Sequence, residues 1–128
     1  MARKAQIAFD FILDYLHPLD VRIKPMFGCH AFYVNEKIVL VTRKKDNHQE
    51  ANGIWIATSP EHHASLNRQF PSFEPVSILN EGKGETNWRM IHESADDFEE
   101  SAIRICELVK QGDVRIGKIP KRSMKRAK

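Results

Sequence analysis

The chain has 128 residues, of which 41% are apolar and 29% are charged, so we expect one domain with a single core and an ordinary polar surface. No apolar run approaches the ~20 residues that a membrane span needs, and the first residues lack the apolar block of a signal peptide, so we expect neither. The two cysteines are far apart and lack CxxC spacing, which favours reduced thiols in a cytoplasmic protein over a disulfide scaffold.

The positive charge is concentrated at the end of the chain. Residues 115–128 contain seven basic side chains and no acidic one, whereas the rest of the chain contains 13 basic and 17 acidic side chains, a net charge of −4. We therefore expect a single α+β domain over residues 1–112 and a basic, partly disordered tail over residues 113–128. A mildly acidic body argues against a nucleic-acid platform formed by the whole fold.

The first predicted element is a helix over residues 5–16. Ile7, Phe11 and Tyr15 recur at a spacing of four, and Pro18 ends the helix because it disfavours the α conformation of the residue before it. The apolar stripe is wide, so we expect the sheet or a partner to cover most of it. Beside an exposed edge strand, such a helix is compatible with either a monomer or a homodimer.

A β-hairpin follows the first helix. Residues 31–34 and 38–41 are rich in β-branched and aromatic side chains, and the polar residues 35–37 form a reversal of hairpin length. Gly28 marks the bend that leads into the hairpin. We expect this hairpin in the middle of the sheet and residues 21–23 as a short edge strand.

The next predicted elements are a loop, a strand and a helix. Residues 42–52 are charged and show no periodicity, which predicts an exposed loop. Residues 54–57 read as a strand. Ser59 is a good N-cap and Pro60 suits the first helical position, so a helix should begin there and end before Pro71.

Two more strands and a helix complete the predicted order. Residues 76–79 and 88–91 are predicted strands joined by a glycine-containing loop, and Ser94 begins a helix that Gly112 ends. The order of helix, three strands, helix, two strands and helix shows no βαβ alternation. It predicts a two-layer α+β fold with a mostly antiparallel sheet of about five strands and helices on one face.

A family resemblance rests on the first hairpin and the later elements. Lys24-Pro25-Met26-Phe27-Gly28, then Tyr33 and the strand from Lys37 to Leu40, resembles the Met-Phe-Gly-Gly hairpin of the TfoX N-terminal domain, with Cys29 in place of the second glycine. The helix start at Ser59, the hairpin ending in Trp88 and the final acidic-capped helix resemble MmcQ/YjbR-type domains. The resemblance spans residues 21–109.

This resemblance implies a small α+β domain that is not an enzyme. Some members of these families look like regulators or DNA-binding modules with wing-like hairpins. The motif brings no catalytic residue that could be assigned to this chain, and a shared fold does not establish a shared function.

Several residues could carry chemistry, and each also has a structural explanation. Cys29 beside His30 resembles a nucleophile and its base, but neighbours on a strand point to opposite faces. His62 and His63 project about 100° apart on a helix, so they are badly placed to share a metal ion. Trp55 could stack on a base, as could Trp88, but a tryptophan on a strand of a small domain usually belongs to the core.

Two other segments could be taken for a catalytic or a phosphate-binding site. The acidic side chains of residues 96–100 suit the positive end of a helix dipole better than acid–base catalysis. Gly82-Lys83-Gly84 lies between predicted strands rather than between a strand and a helix, so it predicts a flexible hairpin rather than a phosphate loop.

The sequence thus favours a non-enzymatic binding or regulatory module, and we expect no catalytic, cofactor or metal site. Its partner would be a protein or DNA. A first alternative is a nucleic-acid-binding protein, because basic side chains release counterions from phosphates. A second is an enzyme that uses Cys29. The candidate nucleic-acid contacts are Arg43, Lys44, Lys45, Lys121, Arg122, Lys125 and Arg126.

Overall fold

The computed structural model describes residues 7–26, 28–79 and 86–119 of the chain. Three α-helices lie within them: α1 (Ile12–Leu16), α2 (Pro60–Gln69) and α3 (Phe98–Lys110). Two 3₁₀ turns occupy Gln49–Ala51 and Ser77–Leu79. The six strands are β1 (Val21–Met26), β2 (Cys29–Val34), β3 (Lys37–Arg43), β4 (Gly53–Ile56), β5 (Glu74–Pro75) and β6 (Arg89–His92).

These strands form one sheet in the order β1-β2-β3-β4-β6-β5, and every neighbouring pair is antiparallel. The α+β fold class is therefore confirmed, with six strands instead of about five. The β2–β3 hairpin takes the second and third positions in the sheet. Asn35 stands at its turn with φ of 59°, a left-handed conformation that asparagine tolerates well.

The helices cover one face of this sheet, which we call the inner face. Phe32, Ile54 and Ile91 point to it and are fully buried, together with Phe70 of the segment after α2 and Ile105 of α3. Successive residues of a strand point to opposite faces of the sheet. The strand residues that alternate with the buried ones therefore point away from the helices. The opposite face, which we call the outer face, has no α-helix packed on it among the described residues.

Several predicted elements differ from the structure; the last helix, for example, begins at Phe98 instead of Ser94. Within the described residues the first helix begins at Ile12, because Phe9 has φ of 55° and residues 9–11 turn instead of continuing the helix. Residues 5 and 6 of the predicted helix lie outside the described part of the chain. Residues 76–79 are not a strand. After Pro75 the chain turns across the outer face in a 3₁₀ turn, with the amide of Leu79 donating to the carbonyl of Val76 at 3.1 Å, and so packs Val76 and Ile78 against the sheet.

The sequence predicted that the domain ends at residue 112, but the chain stays packed on the core beyond Gly112. Ile116 is 3% exposed and packs into the inner core. The amide of Gly117 donates to the carbonyl of Ala57 at 2.8 Å, and Ile38 and Lys118 exchange two backbone hydrogen bonds of 2.9 and 3.0 Å. Residues 117 and 118 thus lie beside the start of β3, where β4 no longer pairs with it. The folded unit therefore reaches at least to Lys118.

In the part of the chain that the structure describes, no helix is both long and apolar enough to cross a bilayer.

Candidate functional site

The outer face of the sheet carries its own apolar cluster. Trp55 of β4 and Met90 of β6 stand side by side in the register of the two strands, with Val41 and Ala31 next to them on β3 and β2. The 3₁₀ turn and Trp88 cover part of this cluster. The cover is incomplete, and a pocket opens where it stops.

This pocket has a volume of about 340 Å³. Two tryptophans, a methionine and two aliphatic side chains supply most of its wall, while a thiol and two basic groups supply the rest. The described residues that line it are Met26, Cys29, Arg43, Lys45, Trp55, Ile78, Leu79 and Trp88. A small, mostly apolar cavity with a few convergent polar groups is the usual form of a small-molecule site.

The two tryptophans form a fixed wall of the pocket. The indole N–H of Trp55 donates to the carbonyl of Ala51 at 2.9 Å, which satisfies its only polar atom and sets the ring orientation. The ring of Trp88 meets that of Trp55 edge-on, with centroids 6.1 Å apart and planes at 64°. Trp55 is a core residue as predicted, and one side of the pair faces the pocket.

Arg43 is the most deeply buried charged group at the pocket. It ends β3 and is only 4% exposed, so the prediction of an exposed loop from residue 42 is wrong at this position. One terminal nitrogen donates to the Asn52 side-chain oxygen at 2.7 Å and to the His48 carbonyl at 2.8 Å; the other donates to the carbonyl of Asn47 at 3.0 Å. These acceptors are all neutral, and the guanidinium holds the following loop against the end of β3.

Lys45 reaches the pocket because of two neighbours. Asn52 accepts from the Lys45 amide at 3.0 Å and donates to its carbonyl at 2.8 Å, which fixes the backbone there. Gly28, with φ of 79°, leaves room for the side chain: a Cβ at that position would lie 2.7 Å from the ammonium nitrogen of Lys45. The half-buried lysine therefore lies across the bend before β2.

Cys29 lies beside both basic groups at the pocket. Burial raises the pKa of its thiol, although the charges of Arg43 and Lys45 and a hydrogen bond with the Arg43 side chain oppose the shift. The thiol is therefore protonated at neutral pH, which is the weakly nucleophilic form. His30, the base that the sequence suggested, is not among the described residues that line the pocket.

Of the other predicted nucleic-acid contacts, Lys44 is the one that the structure describes. Lys44 points elsewhere and pairs with Glu93 at 2.6 Å. Residues 120–128 lie outside the described part of the chain, and with them the four candidate contacts of the tail, Lys121, Arg122, Lys125 and Arg126. Gly82-Lys83-Gly84 also lies outside it.

Arg115, which the sequence counted with the basic tail, is bound to the body. It donates to both carboxylate oxygens of Asp113 at 2.9 Å, to the Ser65 hydroxyl at 2.7 Å and to the Gln69 side-chain oxygen at 3.0 Å. The hydrogen bonds between Asp113 and Arg115 hold the pKa of the Asp113 carboxyl below its usual range and raise the pKa of Arg115.

The described histidines and carboxylates do not form a cluster that could hold a metal ion. Within the described ranges, no group of three histidine, cysteine, aspartate or glutamate side chains is placed to hold a metal ion. His63 contacts the carbonyl of Asn87 at 3.1 Å, and Asp97 accepts from the Ser72 hydroxyl at 2.8 Å. A more open depression of about 410 Å³ lies beside His92, but both ring nitrogens of that histidine already have partners, Ser94 at 2.8 Å and Gln49 at 2.9 Å.

Comparison with family models, with curated proteins and with solved structures found no match to this chain. The resemblance to TfoX N-terminal and MmcQ/YjbR-type domains stays a prediction.

The sequence reasoning missed the pocket, although it singled out several of the residues around it. Met26, Ile78 and Leu79 drew no attention as site residues, because each is an ordinary apolar side chain on its own. One signal was present: β4 is apolar at every position, Ile54, Trp55 and Ile56 in succession, which means that both faces of the sheet must be covered there.

Proposed function

We propose that this chain is a non-enzymatic binding module and that its ligand site is the outer-face pocket. The observation that carries the proposal is the wall itself: two tryptophans, Met26, Ile78 and Leu79 enclose about 340 Å³, at the lower end of the ~300–1,000 Å³ range of small-molecule sites. Such a wall excludes water from an apolar ligand without offering an acid–base pair to react with it.

The thiol at the pocket supports binding over catalysis. A catalytic cysteine needs a lowered pKa or an adjacent base, whereas burial raises the pKa of Cys29 and its described neighbours are two cations. The resemblance to a family whose motif carries no catalytic residue agrees with this proposal.

A neutral fluorescent probe tests the proposal. N-phenyl-1-naphthylamine should bind with saturable, one-to-one stoichiometry, and energy transfer from the tryptophans should report its position beside Trp55 and Trp88. Ile78→Asp places a charge in the apolar wall and should weaken binding at least tenfold. Val114→Asp is the matched control, because Val114 is 76% exposed and lies away from the pocket.

Thermal unfolding followed by circular dichroism shows whether each variant is folded. If Ile78→Asp does not fold, Leu79→Asp replaces it, since Leu79 is already 37% exposed at the pocket. Absence of saturable binding by the wild-type protein would reject the proposal, and so would equal affinity in the folded Asp variants and the Val114→Asp control.

A further inference from the structure

We infer that the ligand of the outer-face pocket is a small aromatic carboxylate, with its ring between the apolar side chains and its charge at Lys45. This inference rests on the proposed function and adds the chemical class of the ligand. Three observations carry it: the unpaired positive charge at the pocket, the neutral state of the nearby thiol and the aromatic character of the wall.

The positive charge at the pocket has no carboxylate partner among the described residues. Lys45 uses its backbone amide and carbonyl to bind Asn52, but its ammonium group makes no hydrogen bond or ion pair with any described residue. The Arg43 guanidinium donates to neutral oxygens of Asn47, His48 and Asn52, and its contact with Cys29 is to a thiol. Burying a cation without a counter-charge is costly, so an anion at this position should be stabilised.

Cys29 does not supply the missing negative charge. A thiolate beside Arg43 and Lys45 would neutralise one of them, but desolvation outweighs both cations and keeps the thiol protonated at neutral pH. No aspartate or glutamate is found among the described lining residues. The described residues that line the pocket therefore have a net positive charge that a bound anion would balance.

Two further basic side chains lie on the same face of the sheet, on β1. Arg22 and Lys24 lie on β1 and place their charged groups 5.9 and 5.2 Å from the ring centroid of Tyr33, which packs against the outer-face cluster. Met26 follows at the next position on that side of the strand, since side chains alternate along β1. Positive charge on this side of the sheet would attract an anionic ligand to the pocket.

The two basic side chains at the pocket, Arg43 and Lys45, have different roles. Arg43 already donates four hydrogen bonds to the loop, so it acts on the ligand chiefly through its charge. Lys45 keeps its donors for direct contact, and Gly28 provides the space in which its ammonium lies. Lys45 is therefore the residue that should distinguish an anion from a neutral molecule of the same shape.

The wall favours an aromatic body over an alkyl chain. Trp55 and Trp88 present ring surfaces, and the sulfur atoms of Met26 and Cys29 are polarizable groups that pack well against rings. A volume of about 340 Å³ suits a ligand with one or two rings.

Calorimetric titration with matched probes tests the inference. Naphthalene-2-carboxylate and naphthalene-2-carboxamide have nearly the same shape and differ in charge. The wild-type protein should bind the carboxylate at least tenfold more tightly than the amide. Lys45→Met should bring the two affinities closer together, because the carboxylate should lose more affinity than the amide. Lys44→Met should behave as wild type, because Lys44 is paired with Glu93 away from the pocket.

The outcomes separate this inference from the proposed function. Equal affinity of both naphthalene probes for the wild-type protein would overturn the inference and leave the binding module intact, and so would a charge preference that is undiminished in Lys45→Met. Tighter binding of decanoate than of naphthalene-2-carboxylate would overturn the aromatic assignment. Failure of N-phenyl-1-naphthylamine and of all these probes to bind would overturn the proposed function itself.

Discussion

The two faces of the sheet are built from the same strands but covered in different ways. On the inner face, Ile54 and Ile56 of β4 lie in a core closed by the helices. On the outer face, Trp55 of the same strand is covered by a 3₁₀ turn and by Trp88. Helices close an apolar surface along their whole length, whereas a short irregular segment covers only part of one. The pocket lies where that partial cover ends.

Each face also contains one buried cysteine, which allows the comparison to be made with the same chemical group. Cys106 of α3 is fully buried in the inner core, and its thiol contacts the carbonyl of Ile12 at 3.8 Å. Cys29 lies at the pocket on the outer face. Burial raises the pKa of both thiols, to about 12 for Cys106.

The largest difference between the faces is expected in the free energy of unfolding. Phe70→Ala removes a ring that is 1% exposed on the inner face, and we expect it to cost about 3–5 kcal/mol. Trp88→Ala removes a larger ring, but one that is only partly buried at the pocket, and should cost less than half as much. Urea denaturation measures both. Equal losses would mean that the outer face is packed as tightly as the inner one.

A smaller loss of stability is expected in the loop after β3, which Arg43 holds in place beside the pocket. Arg43→Met removes four hydrogen bonds that a charged donor makes to Asn47, His48 and Asn52, and we expect a loss of about 2–3 kcal/mol. Lys45→Met removes a charge at the same pocket without breaking a described side-chain bond and should change stability by less than about 0.5 kcal/mol. If the two variants unfold at the same urea concentration, Arg43 does not hold the loop.

The inner face was the more predictable of the two from sequence. Ala102, Ile105 and Val109 recur at helical spacing, and the hairpin strands are bounded by turn residues, so local patterns were sufficient. The first helix was predicted too long because its apolar spacing continues through Phe9, where the backbone turns. Apolar spacing alone does not reveal a backbone with positive φ.

The outer face was predicted poorly because its structure depends on contacts between distant residues. Residues 76–79 have the composition of a strand. In the structure the strand of this segment is limited to Glu74 and Pro75, which pair with β6, and the chain then crosses the outer face of the sheet. From the sequence, Arg43 appeared to belong to a charged loop. Its hydrogen-bond acceptors, Asn47 and Asn52, come within reach of it only in the folded loop. The pocket joins residues of β1, β2, β3 and β4 with the 3₁₀ turn and the residue before β6, a combination that no local pattern indicates.

The two cysteines provide the finest test of the comparison, through the rate at which a thiol reagent labels each one. Cys29 should react at least tenfold faster than Cys106, because the pocket admits the reagent whereas the inner core must open first. The single variants Cys29→Ala and Cys106→Ala allow each rate to be measured separately. Equal rates would show that both faces open together and that the pocket does not admit the reagent.

The pH dependence of stability follows from the same two thiols. Each has a higher pKa in the folded protein than in the unfolded chain, so the folded state retains its protons to higher pH. Their contribution to stability is fully present below about pH 9 and is lost as the pH rises toward the folded-state values. Urea denaturation should therefore show a free energy of unfolding that falls above pH 9. The fall should be smaller in Cys106→Ala, whose missing thiol has the pKa of about 12, and a fall of undiminished size in that variant would contradict the assignment.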